Sequence, residues 1–130
     1  MAGITNTLEA LTLAHWLKGT ALPQPTAITV SLWTTAPDPE LSTGGVEVSG
    51  GSYARATCNA WTVSGTAPTQ AANTSAVTFT TPSAGWGNVV AFGVHADGVL
   101  WMTTTLNLAK TINQGDTVSF SSGTLIVTLD

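Results

Sequence analysis

The chain's only tyrosine and only arginine stand two residues apart, in Glu47-Val48-Ser49-Gly50-Gly51-Ser52-Tyr53-Ala54-Arg55. In extended backbone, positions i and i+2 share a face, so Tyr53 and Arg55 project side by side. The double glycine Gly50-Gly51 just upstream lets the backbone turn or bulge. Two uses follow. Either Tyr53 covers the edge of a core while Arg55 snorkels to solvent, or the pair makes a contact with another protein. Other groups able to do chemistry are few. His15 falls in an expected helix and His95 beside an expected turn. Neither belongs to a His-x-His pair, and Cys58 to no Cys-x-x-Cys, so metal-ligand spacing is missing. The acids Glu9, Asp38, Glu40, Glu47, Asp97, Asp116 and Asp130 sit almost entirely in expected loops and turns. Solvation explains them there better than the facing carboxylates of a glycosidase. No Gly-x-Ser-x-Gly elbow supports a nucleophilic serine. The expectation is a protein that is not an enzyme, with no catalytic, cofactor-binding or metal-binding residues and no cofactor.

Cys58 is the single cysteine, which excludes an intrachain disulfide and fits synthesis in a reducing cytoplasm. A buried free thiol is its expected state. The five tryptophans, Trp16, Trp33, Trp61, Trp86 and Trp101, raise a carbohydrate-binding reading, because sugars stack on exposed indole faces. Each also fits as a sheet-packing residue. Trp33 and Trp101 lie in apolar strands and are expected in the core. Trp86, between Gly85 and Gly87, is the expected exposed one.

Composition bounds the partners. Charged residues make up 8% of the 130-residue chain, against roughly 25% in ordinary domains, so threonine and serine must solvate much of the surface. Such an exterior suits a molecule covered by copies of itself or by a partner. Lys18, Arg55 and Lys110 are the only basic residues and the net charge is −4, which argues against binding to nucleic acid or to an anionic membrane. No apolar run approaches the roughly 18 residues that span a bilayer, and no signal peptide is expected.

The elements that would position these groups are mostly strands. One helix is expected over 5–18, capped by Asn6 with Glu9 three residues on. Leu8, Leu11 and His15 form a stripe there, widened by Leu13, Trp16 and Leu17. Gly19, Pro23 and Pro25 end it. It is short enough to need a surface to dock on. From 26 to 130 the pattern is of strands. Ile28, Val30 and Leu32 alternate with Ala27, Thr29 and Ser31 as a half-buried strand. Pro37–Glu40 and Ser42–Gly45 mark a loop. Strands are expected around Tyr53–Cys58, Trp61–Val63, Ala76–Thr80, Asn88–Ala96, Val99–Thr105, Lys110–Ile112, Thr117–Phe120 and Thr124–Leu129. Ser64–Ser75, with Gly65, Pro68 and Asn73, reads as a polar loop. Asp97-Gly98 is the strongest hairpin turn, Asn113–Asp116 a second, and Leu125, Val127 and Leu129 should face one way. The expected fold is a single all-β domain over 1–130, an antiparallel β-sandwich or jelly-roll-like barrel with one short N-terminal helix.

The Glu47–Arg55 stretch resembles a block found in small virion structural proteins of tailed bacteriophages. A second matching block is Trp86-Gly87-Asn88-Val89-Val90-Ala91-Phe92-Gly93-Val94, running into Asp97-Gly98. The leucine-rich helix, Val30–Thr35 with its acidic proline-rich loop, and the Gln114-Gly115-Asp116 turn extend the similarity in order along the chain. Members are often labelled tail-fibre proteins, and some resemble head decoration (cement) proteins. The resemblance implies a virion component and no catalytic residues. It points to Gly50, Gly51, Tyr53, Arg55, Trp86 and Gly87 as shared features. Gly50, Gly51, Tyr53, Arg55 and Trp86 are therefore the candidate protein-contact residues. A compact unit without shaft, repeat or coiled coil favours decoration of the capsid surface. Its expected partners are the major capsid protein and further copies of itself, as a trimer. A tail-fibre or receptor-binding component is the alternative.

Overall fold

A computed structural model describes residues 3–40, 44–65 and 69–129. Its centre is a long hairpin of β8 (Gly87–Ala96) and β9 (Val99–Ile112). Asp97 (φ 48°) and Gly98 (φ 89°) both take left-handed backbone, as a two-residue type I′ turn requires. The Asp97 carboxylate reaches beyond its own turn. It accepts hydrogen bonds from Thr26 Oγ1 (2.8 Å), Thr26 N (3.1 Å) and Ala27 N (2.9 Å). Those bonds, Thr26 foremost, hold its pKa below the usual carboxylate value. They also aim the chain into β2 (Ile28–Thr35), which pairs with β8 from Ile28↔Ala96 to Trp33↔Ala91.

The main sheet runs β1 (Gly3–Ile4), β9, β8, β2, β3 (Val46–Glu47), with β4 (Ala56–Thr57) also on β2. A second layer comprises β5 (Trp61–Ser64), β6 (Thr69–Asn73) and β11 (Ile126–Leu129), beside the pair β7 (Val77–Thr78) and β10 (Ser119–Phe120). Every pairing is antiparallel. Val30, Leu32, Phe92 and Val94 from the main sheet meet Val77, Phe79, Leu125 and Val127 in one buried core. The all-β, sandwich-like expectation holds, as open sheets and not a closed barrel.

Several local expectations change. Ser64–Ser75 is not simply a loop: β6 lies within it, held by β5 on one side and β11 on the other. Thr69-Gln70-Ala71-Ala72-Asn73 has little strand propensity, and pairing on both edges overrides that. The strand expected at 76–80 shrinks to two residues, and β9 runs on through 110–112. Ser31 and Trp33 are as buried as Val30 and Leu32, so β2 is covered on both faces. Leu125 and Val127 are buried, whereas Leu129 is 59% exposed. Ser42, Thr43, Pro68 and Asp130, named in the sequence reading, lie outside the described residues.

The helix α1 (Asn6–Lys18) is capped by Thr5, not Asn6. Thr5 is fully buried because its N–H donates to Trp101 O (2.8 Å) and its hydroxyl to Leu100 O (2.9 Å). Tertiary anchoring selects it, and the Asn6 amide instead reaches the Glu40 carbonyl. Gly19 ends α1 in left-handed backbone, as expected. The leucine stripe does not sink into the body, and no helix residue is fully buried.

Asn73 ties the second layer together. Its Nδ2 donates to Ser75 O (2.8 Å) and Ser121 O (3.1 Å), and its Oδ1 accepts from Leu125 N (2.9 Å). Asn73→Ala leaves that buried N–H and those carbonyls without partners and should cost about 2 kcal/mol in urea unfolding.

Candidate functional site

Gly50, Gly51 and Ser52 all adopt positive φ, at 72°, 56° and 63°. The turn closes through Tyr53 N donating to Gly50 O (3.0 Å). It is stapled to residues 80–86. Gly51 O accepts from Ser83 N (3.0 Å) and Trp86 Nε1 (2.9 Å), and Thr80 Oγ1 donates to Ser52 O (2.6 Å). A β-carbon on Gly51 would stand 2.8 Å from Ala84 O and 3.0 Å from the Trp86 indole, so the position needs glycine for space as well as for φ.

The turn delivers Tyr53 to a gap in the sheet. Along the outer edge of β2, β3 pairs at Trp33 and β4 at Val30, which leaves the Leu32 N–H between them. Tyr53 Oη accepts from that N–H (3.0 Å) and donates to Glu47 Oε1 (2.9 Å). The phenol thus replaces a missing strand residue. Its ring packs edge-on to Trp86 (5.3 Å between centroids) and stacks on Phe79 (6.4 Å).

Arg55 lands on the same carboxylate. Nε donates to Glu47 Oε1 and Nη2 to Oε2, both at 2.8 Å, a two-pronged ion pair. Tyr53 and Arg55 do share a face, as expected, but their common target is Glu47. That glutamate is no solvated turn residue: its side chain is 22% exposed. Burial pushes its pKa up, and the bonds from Arg55 and Tyr53 outweigh that and hold it below the usual value. The bond to Glu47 raises Arg55, and burial foremost raises the Tyr53 phenol.

Beside this cluster lies a second polar group. His95 is 2% exposed, and its Nε2 lies 2.8 Å from Ser31 Oγ, which also accepts from Trp33 Nε1 (2.7 Å). Gly93 leaves room for this arrangement, since a β-carbon there would press on Ser31, Trp33 and Leu100. His95 Nδ1 has no well-formed hydrogen bond, although the Gly98 carbonyl pulls weakly on it. Burial first, and Arg55 second, depress the His95 pKa and keep the ring neutral.

The structure brings Gly51, Tyr53 and Trp86 into one junction, with Arg55 at its rim and Gly50 open to space. Trp86 is 5% exposed, so the expectation of an exposed indole is corrected: Gly51 O captures its N–H and Tyr53 covers its ring. Trp16 is the exposed tryptophan, at 77%. Trp33 is in the core as expected, whereas Trp101 is half-buried. Cys58 is buried, and burial pushes its thiol pKa up. Sequence reasoning missed Glu47 as the hub and Ser31 as the partner of His95. The first left a signal, being the one carboxylate within reach of the only arginine. The second left none, because the pairing spans 64 residues.

Chemically the cluster is committed to itself. Its carboxylate is paired, its phenol is held protonated and its imidazole is enclosed. Gly51→Ala should lose about 3 kcal/mol, from overlap with the Ala84 backbone added to left-handed strain. Gly50→Ala, with nothing within 4 Å, should lose about 1 kcal/mol. Thermal and urea unfolding of the two variants check the contrast. Stability should also depend on pH. Neutral His95 favours folding above the unfolded histidine pKa of about 6.5, and that contribution is lost as pH falls toward its lower folded value. Glu47 adds a second loss below about 4.5, the ordinary value from which it is lowered. Urea unfolding from about pH 8 to about pH 3 should show both, and His95→Gln should remove the upper one.

Residues 3–128 match the protein family described as Podophage GP4 fiber I protein gp80. No curated protein matches the chain. The family match takes in both halves of the Tyr53–Trp86 junction and every strand of both layers but for Leu129 at the end of β11. The chain belongs to the podophage GP4 fiber I protein gp80 family and is a structural protein of the phage virion.

Proposed function

We propose that this protein is a non-enzymatic attachment subunit of a podophage tail fibre, working by protein–protein contact without a cofactor. The observation that carries the reading is the family match to a fibre protein over residues 3–128. The geometry supports it from the other side: the residues richest in chemistry are spent on holding Glu47, Tyr53, Arg55 and Trp86 together. What is left on the surface is apolar and hydroxyl-rich, which suits assembly.

A second reading, decoration of the capsid surface through the major capsid protein, is favoured by one observation. The described residues form a compact two-layer unit with a single 13-residue helix and no shaft. Many such units on a lattice would reinforce one another even with moderate individual affinity. On either reading Arg55, at the rim of its cluster, is the candidate contact residue with the most side chain still accessible, 34%.

Gold-labelled antibody on purified virions, with copy number from gel densitometry, separates the two. A fibre subunit should label the tail in few copies. A decoration protein should label the whole head, in numbers that scale with the capsid subunits. Absence from purified particles would overturn both.

A further inference from the structure

Two exposed apolar features lie toward opposite ends of β9. The first is the outward face of α1, where Leu13 (59% exposed), Trp16 (77%) and Leu17 (78%) form a ridge beyond the half-buried Leu8, Leu11 and Ala14. Helical spacing makes that ridge continuous, since 13, 16 and 17 are neighbours on one face. The T-shaped contact of His15 with the Trp16 ring, 5.5 Å between centroids, shapes it further. The helix hangs from the early part of β9 through Thr5, which bonds to Leu100 and Trp101.

The second feature is a groove of about 390 Å³ toward the far end of the same strand. Its origin is a large bulge. Val89 pairs with Lys110 and Ala91 with Thr105, so residues 106–109 of β9 stand opposite Val90 alone. The excess chain keeps Leu106 packed against the core and leaves Leu108 out in solvent, and both line the groove together with Leu32, Val89, Val118 and Phe120. Leu108 is 83% exposed, the highest value among the exposed large hydrophobics. Bulges of this kind re-aim side chains and end pairing, and here the result is an open apolar slot.

We infer that the α1 ridge of one copy seats in the β9 bulge groove of the next, joining copies head to tail. The groove is roomy enough for an indole with a leucine beside it and falls in the lower part of the range for ligand pockets, roughly 300–1,000 Å³. Charges match as well. The groove is lined by Lys110 and Asp116, while α1 carries Glu9 in its first turn and Lys18 in its last. Laid in the groove with Lys18 toward Asp116, the helix brings Glu9 toward Lys110. Both basic residues left outside the Arg55 cluster are then used. Because ridge and groove are different surfaces, the contact is heterologous. Repetition builds a line, or a ring if the rotation closes, for example at three copies. The inference deepens the assembly reading and rests on it.

The test is sedimentation of the purified chain across a concentration series, with Trp16→Ala and Leu108→Asp. Both positions are solvent-exposed, so circular dichroism and thermal midpoint should stay at wild-type values. The wild type should grow in mass with concentration, and each variant alone should sediment as a monomer. An equimolar mixture should form dimers and stop there, because Trp16→Ala keeps an intact groove and Leu108→Asp an intact ridge. A wild-type monomer at high concentration would overturn the inference. So would self-association that survives Leu108→Asp, the signature of helix-to-helix pairing, or a mixture that stays monomeric. If these fail while antibody still finds the protein on virions, the assembly reading stands and only the head-to-tail contact falls.

Discussion

The structure depends on satisfying one amide. Between β3 and β4 the outer edge of β2 has no strand beside Leu32, and a backbone N–H left so would carry a desolvation cost of roughly 1–3 kcal/mol. Tyr53 removes that cost with a side chain, and everything nearby is arranged to let it. Three left-handed residues swing the chain around so that the phenol arrives from outside the strand. Trp86 pins the turn by its indole N–H. Glu47 accepts the phenol's hydrogen bond on the far side, and Arg55 keeps Glu47 ionised, so that it accepts and does not donate. Each member has meaning only with the others present.

That arrangement explains why two distant stretches of sequence carry the distinctive residues. The Glu47–Arg55 block supplies the turn, the phenol and the ion pair; the Trp86 block supplies the indole and then becomes the central strand β8. Their meeting point is Gly51, whose carbonyl holds Trp86 and whose missing side chain admits it. A motif with the residue types of a contact surface also serves, in three dimensions, as a joint inside the sandwich. His95 belongs to the same neighbourhood, kept neutral by burial and by the guanidinium of Arg55, so its protonation works against the fold.

Much of this was legible and some was not. The Asp97-Gly98 hairpin, the β2 strand, the Gly19 stop of α1 and the buried state of Cys58 follow from local chemistry, which short windows report well. The pairing of Tyr53 with Arg55 on one face was also legible, because side-chain periodicity survives even where the backbone is not a strand. What failed was whatever depends on a remote partner. β6 has a loop's composition and is a strand because two neighbours pair with it. Thr5 displaces Asn6 as the helix cap because Leu100 and Trp101 are there to hold it. Trp86 looked exposed between its flanking glycines, yet it is the distant Gly51 that leaves room for its indole and captures its N–H. The bulge in β9 could not be read at all, since it appears only when both strands are laid in register.

The pairing of Arg55 with Glu47 has a kinetic consequence. It cancels the chain's only guanidinium against a neighbouring carboxylate, leaving Lys18 and Lys110 as the cations outside an ion pair among the described residues, on a sparsely charged exterior. Such a surface projects little long-range field, so encounters with a partner are not steered and proceed at the slow end of association, about 10⁵–10⁶ M⁻¹s⁻¹. A virion component of this kind is retained by slow departure more than by fast capture. Once seated, its hold should rest mainly on apolar contact, and only its few surface charge pairs should respond to ionic strength.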